Sequence, residues 1–198
     1  MPGLRTRCRD EPFSEQSRLV KSRLIEPTSA EVAARLPGDD LVPADVVMDR
    51  AFTLDATPAE VWPWLVQVGK GRAGWYFPRA VERFVPASRR AARRIVPELQ
   101  THQVGETIAD WGGRDATLTV AQVEPPSTLV YQSRRGRAGF SWALVLRSVG
   151  DDTRVHSRVR MGPIRHQRLA ERLGGTFDLL TILGLATGLQ QRLREVSR

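Results

Sequence analysis

The stretch GKGRAG, Gly69 to Gly74, has the G-x-G-x-x-G spacing that can cradle a dinucleotide pyrophosphate. That chemistry needs more than spacing. The glycine turn must leave a buried strand and open a helix, so that free N–H groups meet the phosphates, and an acidic residue about 20 positions on must meet the ribose. Here the order is reversed. The preceding segment, TPAEVWPWLVQV, carries a capping box at Thr57 and Glu60 with Pro58 in the first helical position, so a helix runs into the glycines. After Gly74 comes WYFP, a poor helix start, and the chain leads on to RRAARR instead of an acid at a strand end. The glycines read as a helix stop, with Gly69 in a left-handed conformation, followed by a turn. A kinase-type glycine loop fits no better, because no strand with a V-A-I-K lysine follows. No cofactor is expected.

The other residue types that do chemistry are sparse. Cys8 is the only cysteine, so an intrachain disulfide is impossible and a reducing cytoplasm is the expected setting. His102 and His166 fall in loop or helix-entry segments without a carboxylate or cysteine at ligand spacing, and no metal is expected. In TRVHSRVRM, Val155, Ser157, Val159 and Met161 share one strand face, while Arg154, His156, Arg158 and Arg160 share the other. His156 is therefore read as part of a solvated basic face. Arg50 is the sharpest polar candidate, because in DVVMDRAFTL it shares a face with Met48, Phe52 and Leu54. A guanidinium facing a core needs a partner. Glu82, Glu106 and Asp110 are the candidates, and the functional alternative is that Arg50 binds a ligand carboxylate or phenolate.

The elements that must position these residues follow from periodicity. The chain of 198 residues is long enough for one domain with a sizeable core. Residues 1–37 read as an N-terminal extension, partly disordered or helical, and 38–198 as the domain. A strand over DVVMDRAFTL precedes the capped helix, in which Pro63 predicts a kink or a short run. Then ETIADW, ATLTVAQVE, STLVYQS, FSWALVLRS and TRVHSRVRM read as strands joined by short turns, which favours antiparallel hairpins. A long helical segment from about Ile164 to Val196 closes the chain, with Gly174, Gly175, Gly184 and Gly188 as candidate breaks.

The net charge of +8 invites a nucleic-acid reading, but the cations are spread along the chain and all but Lys21 and Lys70 are Arg. The one cluster, Arg89 to Arg94, reads as a solvated helix face or loop; association of that cluster and the terminal helix with nucleic acid or an anionic membrane is a third-ranked possibility. The N-terminus has no apolar core of the kind a signal peptide needs. The most apolar run, FDLLTILGLATGL, is shorter than a membrane span and contains Asp178.

The strand before ATPAEVWPWLVQVG, then GRAGWY, VGETIADW, FSWALVLRS and DDTRVHSRVRM before a long helix, together resemble the SRPBCC superfamily over about residues 38–196. These are the helix-grip proteins, which include START lipid-transfer domains, plant hormone-binding proteins and bacterial polyketide cyclases. The resemblance implies an α+β fold, a curved antiparallel sheet wrapped around a long C-terminal helix with an internal cavity for an apolar ligand. Fold alone does not set function. In that layout Phe140, Trp142, Leu144 and Leu146 face the helix, Trp62 and Trp64 are core, and Trp75, Tyr76 and Trp111 come from loops at the cavity mouth. The expected ligand-binding set is Arg50, Trp64, Trp75, Tyr76, Glu82, Trp111, Phe140 and Trp142. The expected function is binding of a small hydrophobic or aromatic molecule, lipid or polyketide-like. The alternative is a cofactor-independent cyclase or aromatase in which Tyr76, Glu82 or Asp110 acts as general acid or base.

Overall fold

The computed structural model describes residues 25–196; Cys8 and the expected disorder of the extension's first 24 residues lie outside them. A short helix, α1 (Ser29–Ala33), opens under a capping box between Thr28 and Glu31. Strand β1 (Val46–Leu54) follows, and then α2 (Pro58–Gln67). Glu60 accepts from both the N–H and the hydroxyl of Thr57 at the start of α2, at 2.8 and 2.7 Å. The helix continues through Pro63 and stops after ten residues. A single turn, α3 (Arg79–Glu82), leads to the remaining strands β2 (Thr107–Ala109), β3 (Thr117–Glu124), β4 (Thr128–Arg135), β5 (Ala138–Val149) and β6 (Asp152–Gly162). Helix α4 (Gln167–Val196) ends the fold.

The six strands form one antiparallel sheet in the order β1-β6-β5-β4-β3-β2. Period-two side-chain placement turns register into cross-strand rows. Met48 pairs with Val159, Val159 with Trp142, and Trp142 with Tyr131, so one apolar row crosses four strands. The register shifts between Val120 and Gln122, an irregularity of the kind that bends a strand and helps the sheet curve. Phe52, Leu144, Leu146 and Val155 on the concave face are buried together with Ile182, Leu185 and Leu189 of α4. This is a helix-grip arrangement, α+β, as the resemblance implies.

Two expectations change. The four glycines do not break α4, which runs as one helix of 30 residues. At Gly184 and Gly188 the missing side chain makes room instead, because a Cβ there would stand 2.6 Å from the Phe77 ring and 2.7 Å from the Phe77 carbonyl carbon. The outer face of β6 is also not solvated. His156 and Arg158 are buried, and Arg158 lies against residues 31–39. Arg158 donates to the carbonyls of Ala34 and Val32 at 2.8 and 2.9 Å and pairs with Asp39 and Asp49. His156 Nε2 lies 2.6 Å from Asp49. The basic parity of β6 is thus the fastening of a strap formed by α1 and the residues after it. Among the described residues no helix is long and apolar enough to cross a membrane.

Candidate functional site

The glycine turn is closed on itself. Gly69 and Gly74 form an antiparallel bridge, and Gly71 and Gly74 take positive φ of 72° and 80°. The helix ends at Gln67 with Val68 as its cap, and Gly69 follows at a positive φ of 155° and opens the bridge. The N–H groups of Gly69, Arg72, Ala73 and Gly74 all donate to carbonyls within residues 67–74. Lys70 donates to the carbonyls of Asp110 and Gly113, each at 2.9 Å. Four of the turn's N–H donors are thus consumed inside the protein. What the turn delivers is Trp75.

Between the concave sheet face and the N-terminal half of α4 lies a cavity of about 410 Å³. Met48, Phe140, Trp142, Val159 and Met161 line it from the sheet, and Gly174, Phe177, Asp178, Thr181 and Ile182 from α4. Trp75, Phe77, Asp110, Trp111 and Arg135 complete the wall. Of the lining residues Phe177 is 71% exposed and Trp111 50%, so both rings also meet solvent.

The aromatic wall is held in fixed order. Trp75 meets Trp111 edge-on, centroids 5.7 Å apart, and Trp142 at 5.8 Å with a 31° tilt. Tyr131 stacks behind Trp142 at 5.6 Å. Trp75 Nε1–H donates to the Thr181 carbonyl and Trp142 Nε1–H to Ser157 Oγ, each at 3.0 Å. With both indole donors satisfied by protein, what these two rings offer a ligand is apolar π surface.

Two ion pairs face this apolar space. Arg135 pairs with Asp110 and lies 4.3 Å over the Phe140 ring. Arg50 Nε stands 3.1 Å from Asp178 Oδ2, but neither atom has hydrogen-bond alignment. The two Nη groups of Arg50 donate to the carbonyls of Asp49 (2.7 Å) and Gly175 (3.0 Å). Burial pushes the Asp178 carboxyl up to about 6; Arg50 opposes the rise and Asp49 adds to it.

Of the expected site residues, Trp75, Trp111, Phe140 and Trp142 are brought together on the cavity wall, and Arg50 stands behind it through Asp178. Trp64, Tyr76 and Glu82 lie elsewhere. The Tyr76 hydroxyl donates to the Trp64 carbonyl at 2.9 Å and accepts from Gln67, and burial pushes its pKa upward. Glu82 is buried against Arg192 at 2.5 Å and Arg93 at 2.7 Å. Burial alone would raise its pKa, but Arg192 and Arg93 hold it below the usual carboxylate range. It is a structural ion, as is Arg93 of the Arg89 to Arg94 cluster, which also pairs with Glu195.

Arg50 finds none of the three partners expected for it. Glu106 bonds His102 Nδ1 at 2.8 Å, one helical turn's spacing away in sequence, which corrects the expectation that His102 has no carboxylate nearby. Asp178 is not among the expected site residues, because its neighbours in FDLLTILG are apolar; a lone acid in such a run is the signal that marks it. Met48, Phe77 and Met161 are further wall residues that periodicity alone does not distinguish from core. Among the described residues, no three His, Cys, Asp or Glu side chains converge in a way that could hold a metal ion.

Comparison with protein-family models and with curated proteins finds no match. Among solved structures, the chain is similar to the Aha1 dimer protein from Colwellia psychrerythraea, at 16% identity and a TM-score of 0.47, covering 73% of this chain and 96% of that one. It is also similar to CalU16 from Micromonospora echinospora, at 18% identity and a TM-score of 0.43, over 75% of this chain and 82% of that one. DynU16, described as a putative protein in the dynemicin biosynthetic locus, aligns at 15% identity and a TM-score of 0.47, over 76% of this chain and 48% of that one. At such values the likeness says nothing of ligand or activity, and the cavity's own residues must speak for both.

Proposed function

We propose that this chain binds one small, mainly apolar and aromatic molecule, lipid or polyketide-like, in the cavity between the sheet and α4. The observation that carries the reading is a wall of Trp75, Trp111, Phe140, Trp142 and Phe177 around about 410 Å³, within the size range of small-molecule sites. The indoles of Trp75 and Trp142 have spent their polar edges on protein partners, so the wall favours flat apolar bodies over sugars or nucleotides. Residues 38–198 would form the binding unit, with 1–37 as an extension whose later part straps the outer sheet face. A cytoplasmic setting goes with the lone Cys8. The test is native mass spectrometry of protein purified from its own host. A co-purified apolar molecule of one-to-one stoichiometry is expected, and protein that is empty and takes up no aromatic probe would contradict the reading.

One observation favours a second reading, acid–base catalysis on the bound molecule. Asp178, held near a midpoint of about 6 in an apolar cavity, has the environment of a general acid or base. Tyr76 and Glu82, the earlier candidates, do not reach the cavity, and Asp110 is occupied by Arg135. Turnover of a bound polycyclic ketone lost in Asp178→Asn, with binding retained, would establish it; turnover unaffected by that change would exclude Asp178 from the role.

A further inference from the structure

We infer that the outward face of the first half of α4, together with the α3 turn, docks on an anionic lipid bilayer and brings the cavity wall residue Phe177 against the lipid. The docking stands on this surface alone; that the cavity draws its apolar molecule from the bilayer rests on the binding reading above.

At about 100° per residue, Leu169, Leu173, Phe177 and Leu180 fall on one stripe of α4, on the side away from the buried Ile182, Leu185 and Leu189. Their exposures are 57, 66, 71 and 60%. The stripe continues onto α3, because Val81 and Leu180 line one apolar groove with Phe77, Pro78 and Leu183. Phe84, 78% exposed, extends it further, its N–H donating to the Val81 carbonyl at 3.1 Å. An apolar surface this continuous marks an interaction site, whereas single exposed leucines would need no explanation. Phe177 belongs both to the stripe and to the cavity wall.

The charge beside the stripe has one sign. Residues 163–177 carry Arg165, Arg168 and Arg172, all exposed and on one edge of the stripe, against the single acid Glu171. Next to Phe84, the Arg83 guanidinium lies 4.8 Å over its ring and Arg90 donates to the Val85 carbonyl at 2.9 Å. Residues 83–94 contain no acid. Leucine and phenylalanine on one side with arginine along the edge are the residue types of a helix that lies in the plane of a bilayer interface. Among the described residues no helix is long and apolar enough to cross a membrane, so the contact is with its surface. A second copy of the chain is a poorer occupant, because it brings the same arginines, no acidic edge to meet them and a net charge of +8. A nucleic acid would pair with the arginines and give the leucines no apolar partner.

The experiment sediments the full chain with vesicles of phosphatidylcholine alone and of phosphatidylcholine mixed with phosphatidylglycerol in equal parts. Binding to the mixed vesicles should be at least about tenfold tighter, and should weaken as salt is added. Leu173→Asp, and separately Arg168→Glu combined with Arg172→Glu, should each lower that affinity by at least about tenfold. None of these three positions lines the cavity, so both variants should keep the wild-type affinity for the neutral fluorophore N-phenyl-naphthylamine in free solution, which reports that they fold. Wild-type chain that sediments with neither vesicle overturns the docking. So does binding that is lost in the arginine variant and kept in Leu173→Asp, because the apolar stripe would then take no part. A chain that self-associates without lipid and becomes monomeric in Leu173→Asp overturns it in favour of a second copy. Fluorophore uptake by a chain that leaves the vesicles untouched keeps the binding reading and removes the docking; vesicle binding by a chain that takes up no fluorophore does the reverse.

Discussion

Gly188 of α4 supports Phe77 so closely that a Cβ on it would stand 2.7 Å from the Phe77 carbonyl carbon and 2.8 Å from its nitrogen and oxygen. All three atoms are backbone and cannot rotate away, so any side chain at 188 must push the 75–78 segment off the helix. Gly188→Ala gains about 1 kcal/mol of helix propensity but should lose about 1–3 kcal/mol to overpacking. We expect a lower unfolding midpoint in urea and, because Trp75 sits two residues before Phe77, weaker binding of an aromatic probe. Unchanged stability and binding would show that the 75–78 segment is not braced by this contact.

The buried Arg192 sets a second expectation. It is 0% exposed, donates to the carbonyls of Ala92 and Gly188 at 2.8 and 3.0 Å, and meets Glu82 at 2.5 Å beneath the Tyr76 ring. Glu82→Gln leaves this cation without its counter-charge, a change that costs about 3–5 kcal/mol in buried pairs. Chemical denaturation should show a loss of that order, with probe affinity of the folded fraction unaltered. A selective loss of affinity without loss of stability would return Glu82 to the ligand site.

How much of this was legible in the sequence differs by feature. The strands, the capped helix and the helix-facing parity of Phe140 and Trp142 follow from local periodicity and capping chemistry, which act over a few residues. Arg50 could be flagged from its parity, but its partner lies on the far end of the chain, and register between β1 and α4 is a tertiary fact. Arg158 and His156 depart from the solvated face expected of them for a related reason. An alternating basic parity looks solvated until the strap through Ala34 and Asp39 covers it. The GKGRAG spacing matched a phosphate motif only because glycine serves tight bridges of every kind.

Asp178 gives a pH dependence with a definite sign. The charged groups that act on it are Arg50 and Asp49 on β1, and Asp110 and Arg135 also line the cavity. Its carboxyl is raised from 3.8 to about 6, chiefly by burial, so it is protonated in the folded protein below that midpoint. Between about 3.8 and 6 the folded chain binds more protons than the unfolded one, so ionising Asp178 costs stability, and urea midpoints should fall with rising pH across that window relative to Asp178→Asn. Parallel profiles for the wild type and Asp178→Asn contradict this.

Glu31 works in the opposite direction. Arg154 bonds both of its carboxylate oxygens, at 2.7 and 2.8 Å, and holds its pKa at about 2 instead of 4.5, although partial burial opposes the shift. Between those values the unfolded chain binds more protons than the folded one, so the stability Glu31 supplies is present above about 4.5 and lost as pH falls toward 2. Urea midpoints measured across that range should fall less steeply for Glu31→Gln than for the wild type. Parallel slopes would mean that α1 is not held to the sheet by this pair.

The most direct test of the binding account uses Gly174, whose added Cβ would meet only Met48 Sδ at 3.7 Å and Cε at 3.9 Å, ordinary contact distances. Gly174→Phe should fold, since the backbone is helical and the space is open, and its ring should occupy part of the cavity. Titration with N-phenyl-naphthylamine should give saturable one-to-one binding to the wild type and at least a roughly tenfold weaker affinity for the variant, a loss of about 1.4 kcal/mol. Equal affinity for both proteins, or no saturable binding to the wild type, would contradict the claim that this cavity is the ligand site.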